Sequence, residues 1–142
     1  MRMLQTSWQF WALLSAGFAA LTAIFGKIGV ENIDSNFATL IRTVVILIVA
    51  ALIVLAMRSA QPLSTVAPRT WLFLILSGIA TGASWLCYYR ALQLGSAARV
   101  APIDKLSVVL VAILSVAFLG EHLAPKAWLG VALITAGAIL IA

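Results

Sequence analysis

Of the chain's 142 residues 64% are apolar, and full charge is confined to nine Lys or Arg and four Asp or Glu. A soluble domain of this size is about one quarter charged; a charged share of 9% and a mean hydropathy of +1.15 exclude a soluble globule or soluble enzyme and place the chain in a lipid bilayer. The net charge of +5 does not point to nucleic acid, because the basic residues stand singly at the ends of apolar runs and form no patch or aromatic platform.

A helix rising 1.5 Å per residue needs about 20 residues to cross the hydrocarbon. Five apolar runs are read as spans: residues 8–28, 37–57, 71–92, 100–119 and 126–142. They are continuous and lack the alternation of barrel strands, so the fold class is an all-α integral membrane protein. The first run exceeds the roughly 7–15 apolar residues of a signal core and is read as a membrane helix. Its small, mildly polar stripe is Ser15, Ala19, Thr22 and Gly26, and Lys27 closes it. After GVENIDSN the second span carries Arg42 five residues inside its start, and RSAQPLSTVAPR, with two prolines, leads to the third.

In the third span Gly78, Gly82, Trp85 and Tyr89 share one face. Its Gly-Ile-Ala-Thr-Gly segment is expected to admit another backbone closely. Cys87 stands alone in this run, and His122 is likewise the single residue of its type, so no disulfide framework or His-based metal set is expected. In the fourth span Asp104, Ser107, Val111 and Ser115 fall on one stripe. Lys105 is rotated about 100° from it, with Val109, Ala112 and Val116. Asp104 is thus expected to face a polar interior and Lys105 a neighbouring helix or the interface, although helix packing is the plainer explanation of every such stripe. Glu121 and His122 in GEHLAP read as a solvated interfacial turn. The fifth span has no charged anchor at its end, which is expected in the headgroup layer.

Lys and Arg near span ends set orientation. Arg2, Arg58, Arg69 and Lys126 fall on the side of the N-terminus, and Lys27, Arg42, Arg90, Arg99 and Lys105 on the other. Four against five is no bias. Either a weak preference leaves the N-terminus cytoplasmic, or the chain inserts both ways up, as an antiparallel homodimer requires. Lys27, Arg42, Arg90, Asp104 and Lys105 gather in one leaflet, with Arg42 and Asp104 roughly 8 Å below the helix ends. A charge at the bilayer centre costs about 2.5–3.5 kcal/mol on insertion scales. Snorkelling of long side chains accounts for Lys27 and Arg90 better than for Arg42 or the short Asp104. The cavity-lining or substrate-binding candidates are Lys27, Arg42, Trp85, Tyr89, Asp104, Lys105 and Ser107. Asp104, the one acidic residue inside a span, is either a coupling carboxylate or an anchor paired with Arg42 or Lys105.

The stretch from Tyr88 onward, YYRALQLGSAARVAPIDKLSVVLVAILSVAFLGEHLAPKAWLGVALITAGAIL, resembles the C-terminal part of an EamA domain of the drug/metabolite transporter superfamily. The marks are Tyr-x-x-Ala-Leu from Tyr88 to Leu92, Phe-Leu-Gly-Glu at 118–121, and Trp-Leu-Gly before a small, apolar last helix containing Gly137. Lys27 and Arg42 agree with the first half, and the resemblance covers the whole chain as one domain. Many members carry a proline midway along the helix before Phe-Leu-Gly-Glu. Here Pro102, in the first turns, is the proline of that span, so contacts tied to the middle proline do not carry over.

The resemblance implies a five-span repeat, closest to the stand-alone, single-domain members, in place of the usual tandem ten spans. An odd repeat must pair with an inverted copy to rebuild the transporter body, and the unbiased basic count fits that demand. The expected function is a secondary transporter or exporter of small metabolites in the cell (plasma or inner) membrane, working by alternating access as an antiparallel homodimer on anionic or zwitterionic substrates. Its partners are the bilayer, a second copy and a small-molecule substrate; no cofactor is expected. One alternative is a proton-coupled, small-multidrug-resistance-like exporter of lipophilic cations, against which stands the absence of acidic residues from span one. Another is a non-transporting subunit or channel-like dimer. An enzyme is disfavoured, with no Ser/His/Asp set and no paired carboxylates.

Overall fold

The computed structural model describes residues 7–141, which form helices and no strand. Arg2 and Ala142, used above for orientation and for the last span, lie outside the described residues. The helices are α1 (Trp8–Gly29), α2 (Ser35–Ala56), α3 (Pro68–Leu94), α4 (Ala97–Asp104), α5 (Ser107–Leu119) and α6 (Pro125–Ile141), with a 3-10 turn at Leu63–Thr65 between α2 and α3. Four segments have the length and hydropathy to cross a membrane: α1, α2, α3 and Ala97–Leu119. The fifth expected span, α6, is an apolar helix of 17 residues, ~26 Å long at 1.5 Å per residue.

Local chemistry sets the boundaries. Asp34 precedes α2 in extended backbone, and its Oδ1 accepts the N–H groups of Asn36 and Phe37 at 2.8 and 3.1 Å, an N-cap that starts the helix two residues before the apolar run. The third span opens at Pro68, three residues before Trp71, because a proline lacks only a donor that the first helical position would leave unused. α5 stops at Gly120, whose φ of 67° is left-handed, and the N–H of Glu121 then bonds the Ser115 carbonyl at 3.2 Å. A glycine adopts that conformation without a Cβ penalty. The turn carrying Glu121 and His122 is exposed, as expected.

The fourth span departs from the expected single helix and is broken at Lys105 and Leu106. Four residues after Pro102, bonding slips from i−4 to i−3. Lys105 N–H still reaches Ala101 (3.2 Å), but Leu106 N–H reaches Ile103 (2.9 Å), Val108 reaches Lys105 (3.0 Å) and Val109 reaches Leu106 (3.0 Å). This is 3-10 tightening, and it means that the spacing from Asp104 to Ser107 crosses a helix break. Ser107 and Val111 are exposed. Ser115 is the buried member of that stripe, and its hydroxyl donates to the Ala112 carbonyl at 3.3 Å.

The chain divides into two compact units, one formed by the segments up to Ile28 and from Leu94 onward, the other by Gly29–Gln93. In the first, α6 packs against both α4 and α5. Its buried positions are small, Ala23, Gly26, Ala112, Ser115 and Ala138, as membrane helix contacts favour. The second unit buries Ser35, Ala38, Thr39 and Tyr89, and most deeply Val30 and Leu92, at 1% and 0% exposure. The close backbone approach expected at Gly78 and Gly82 is not made among the described residues: a Cβ on either would meet nothing within 4 Å.

Candidate functional site

Arg42 lies seven residues beyond the first residue of α2, roughly 10 Å along the helix. Trp85 and Tyr89, four apart on α3, present one face. The Arg42 guanidinium carbon sits 3.8 Å from the centroid of the Trp85 ring and 5.3 Å from that of Tyr89. Trp85 is half-buried and Tyr89 is buried. Arg42 is therefore folded onto an aromatic wall instead of snorkelling freely toward the headgroups. Such stacking contributes about 0.5–1 kcal/mol in the open and about 2 kcal/mol when desolvated.

The rings cover a face of the guanidinium but accept none of its in-plane N–H bonds. Nη1 is buried and has no hydrogen-bond partner among the described residues. A buried donor left unpaired costs about 1–3 kcal/mol, so the arrangement holds a polar group whose solvation is incomplete. Chemically it is a positive, planar donor group beside a hydrophobic wall, and a guanidinium is the side-chain group whose geometry matches a carboxylate or phosphate.

The next residue on the Trp85–Tyr89 stripe is Gln93. Its Nε2 donates to the carbonyls of Val30 at 3.1 Å and Ile33 at 2.7 Å, and its Oε1 accepts from Arg90 Nη1 at 3.0 Å. Gln93 thus ties the α1–α2 turn to α3 immediately before the Asp34 cap, and so fixes where α2, with Arg42, begins against the aromatic face. Gln93 is not among the residues that the sequence singles out. The signal was its four-residue spacing from Tyr89, with an amide able to satisfy turn carbonyls. Arg90, expected to snorkel, is exposed and bonded to this amide.

The remaining candidates belong to the other unit. Lys27 is half-buried, and its Nζ donates to the Gly95 carbonyl at 3.1 Å, just past the end of α3, where a cation is electrostatically favoured. Asp104 pairs with Lys105, Oδ2 to Nζ at 3.3 Å, with side-chain exposures of 34% and 55%. Of the partners considered for Asp104, Lys105 stands within ion-pair distance. Ser107 opens α5 and is exposed. The structure therefore brings Arg42, Trp85 and Tyr89 together in one unit. In the other it pairs Asp104 with Lys105 at the helix break.

A family model described as the EamA-like transporter family matches residues 6–142. The chain is also similar to a Sinorhizobium sp. protein named "Uncharacterized transporter in cobO 3'region". The two are 68% identical over 136 residues, which cover 96% of each. No solved structure matches the chain.

Proposed function

The chain belongs to the EamA-like transporter family and is a multi-pass membrane transporter of small molecules rather than an enzyme, and within that family we propose an alternating-access exporter of the cell membrane that works as an antiparallel homodimer and engages an anionic or zwitterionic substrate group through Arg42. The observation that carries the substrate half of this reading is the Arg42 guanidinium, stacked 3.8 Å from Trp85 with Nη1 buried and unpartnered. An arginine kept only for anchoring gains by reaching headgroup phosphates; one held against rings with an idle donor is poised for an oxyanion. Trp85 and Tyr89 form the wall behind it. Lys27, Asp104, Lys105 and Ser107 are assigned to the path or its coupling, with the Asp104–Lys105 pair at the helix break as the coupling candidate.

The homodimer half rests on two independent features. An odd repeat needs an inverted copy to make the paired architecture of such transporters, and the basic residues divide four against five across the membrane. A lipophilic-cation exporter built on a first-span carboxylate is disfavoured, since α1 contains no acidic residue.

The test is topological and functional. In a Cys87→Ala background, needed because Cys87 is exposed, a Ser64→Cys variant in the exposed 3-10 turn should be labelled by an impermeant maleimide from both sides of the membrane. One-sided labelling overturns the homodimer, and points to a separate partner if transport persists. Arg42→Gln should keep expression and dimerisation while losing substrate binding.

A further inference from the structure

We propose that the Arg42 site takes a single carboxylate on an otherwise apolar small molecule, in preference to a zwitterion, a phosphate ester or an organic cation; this rests on the reading of Arg42 as the substrate contact. The first step is geometric. With the guanidinium face over the Trp85 ring, its in-plane N–H edge remains for a ligand, and a carboxylate matches two parallel N–H donors in the same plane. Nη1 is buried and has no hydrogen-bond partner among the described residues, so an oxyanion reaches it only once the surrounding side chains shift, and the gain on binding is the pairing of a donor that is otherwise unsatisfied.

Charge decides between oxyanions. One guanidinium compensates one negative charge. A phosphate ester, at close to two charges near neutrality, would leave the excess against Trp85 and Tyr89, whose ring faces are electron-rich, and an uncompensated charge in such surroundings is costly.

The same wall decides against a zwitterion. The ring faces that could stabilise an ammonium group are already turned to Arg42. The acidic residues of the Gly29–Gln93 unit are Glu31 and Asp34. Asp34 caps α2 with its Oδ1 and lies eight residues from Arg42, roughly 12 Å along the chain axis of the helix, several times the separation between the carboxylate and ammonium of an amino acid. Glu31 stands farther still, in an exposed turn. An organic cation meets Arg42 itself, a like charge. Within the Gly29–Gln93 unit, what remains is one carboxylate, with an apolar or flat body lying along the aromatic wall.

The experiment uses the full chain, purified in detergent, with radiolabelled phenylacetate as the probe and four unlabelled competitors that share its phenyl body: phenylacetate, phenylalanine, phenyl phosphate and benzylamine. Phenylacetate should displace the label, and the other three should be weaker by roughly tenfold or more: benzylamine because the charge-assisted contact is lost, phenylalanine and phenyl phosphate because each brings a charge that stays uncompensated. Arg42→Gln should abolish the signal. Arg42→Lys, which keeps the charge but neither the fork nor the stacking plane, should also weaken it about tenfold or more, and its monodispersity serves as the folding control. Equal displacement by phenylalanine or phenyl phosphate, or failure of phenylacetate to bind the unmodified protein, overturns the carboxylate assignment. If phenylalanine or phenyl phosphate binds in an Arg42-dependent way, the role of Arg42 stands and only the substrate class falls. If no competitor binding depends on Arg42, both fall.

Discussion

Replacing Gln93 by Leu removes a side chain that touches none of the proposed substrate contacts yet sets their geometry. Two donated bonds disappear, to Val30 and Ile33, with the bond accepted from Arg90. A net intramolecular hydrogen bond is worth about 0.5–1.5 kcal/mol. The Val30 bond is half-buried and belongs near the middle of that range, whereas the Ile33 and Arg90 bonds are exposed and contribute a few tenths each. Leucine keeps most of the volume, so the expected loss is about 1–2 kcal/mol.

Gln93→Glu separates the contributions. It preserves and charges the contact to Arg90, but sets carboxylate oxygens against two carbonyl oxygens, and should lose at least as much as Gln93→Leu. Unfolding by SDS in mixed micelles, followed by helicity, measures both. A Trp85 signal, isolated by subtraction of the Trp85→Phe protein, should report a changed environment in each variant, because α2 no longer starts where the clamp held it. The reasoning is refuted if Gln93→Leu lies within about 0.3 kcal/mol of the unmodified protein, or if Gln93→Glu is the more stable variant. Phenylacetate binding should weaken in both variants, as befits a positioning residue, and should recover in part with Gln93→Asn only if the shorter amide still reaches the Ile33 carbonyl.

Further expectations follow from the same geometry. Arg42→Gln should leave stability within about 1 kcal/mol, because the lost ring stacking is offset by removal of an unpaired buried donor; a loss well above that in the SDS titration would make Arg42 a structural residue. Asp104→Asn breaks an exposed pair and should change stability by no more than about 1 kcal/mol. Loss of the pH dependence of transport would then identify a coupling carboxylate, while an unchanged profile at unchanged stability would remove both roles considered for Asp104. Gly120→Ala meets no atom within 4 Å, so its cost is that of a left-handed alanine alone, about 1–2 kcal/mol. A smaller loss would mean that the α5 terminus relaxes.

The membrane class, the approximate spans and the family marks were legible in the sequence because they depend on sums over many residues, which a single neighbour cannot change. Arg42, Trp85 and Tyr89 could be proposed because each follows from depth or from four-residue spacing on one helix. Their meeting could not be read, since it requires the relation between α2 and α3. The break at Lys105 was illegible for a similar reason. Pro102 fits in the first turns of a helix, and the shift to i−3 bonding four residues later has no marker in Leu106 or Ser107. Gln93 was overlooked because an amide at the end of an apolar helix looks like solvation, and only the long-range bonds to Val30 and Ile33 show what it holds.

Exposed apolar side chains say little about partners in a chain like this one. Leu, Ile and Phe on α1 and α2 face outward in numbers, but lipid tails are as apolar as they are, so leaving them uncovered carries no penalty and covering them gives little drive. The informative groups are polar ones at depth. The hydroxyls of Thr39, Thr43 and Thr81 each donate to the carbonyl four residues earlier, so they are satisfied within their own helices and ask for nothing. Lys27 and Gln93 are satisfied by turn carbonyls, and Asp104 by Lys105. Arg42 keeps a buried donor without a partner. In hydrocarbon that state would be removed either by sequence change or by a bonding group from elsewhere: water in a cavity, a substrate oxyanion, or the inverted copy. All three require that the face of Trp85 and Tyr89 open onto something other than lipid. Among these polar groups at depth, the proposed substrate contact is thus the one that its own unit leaves unsatisfied.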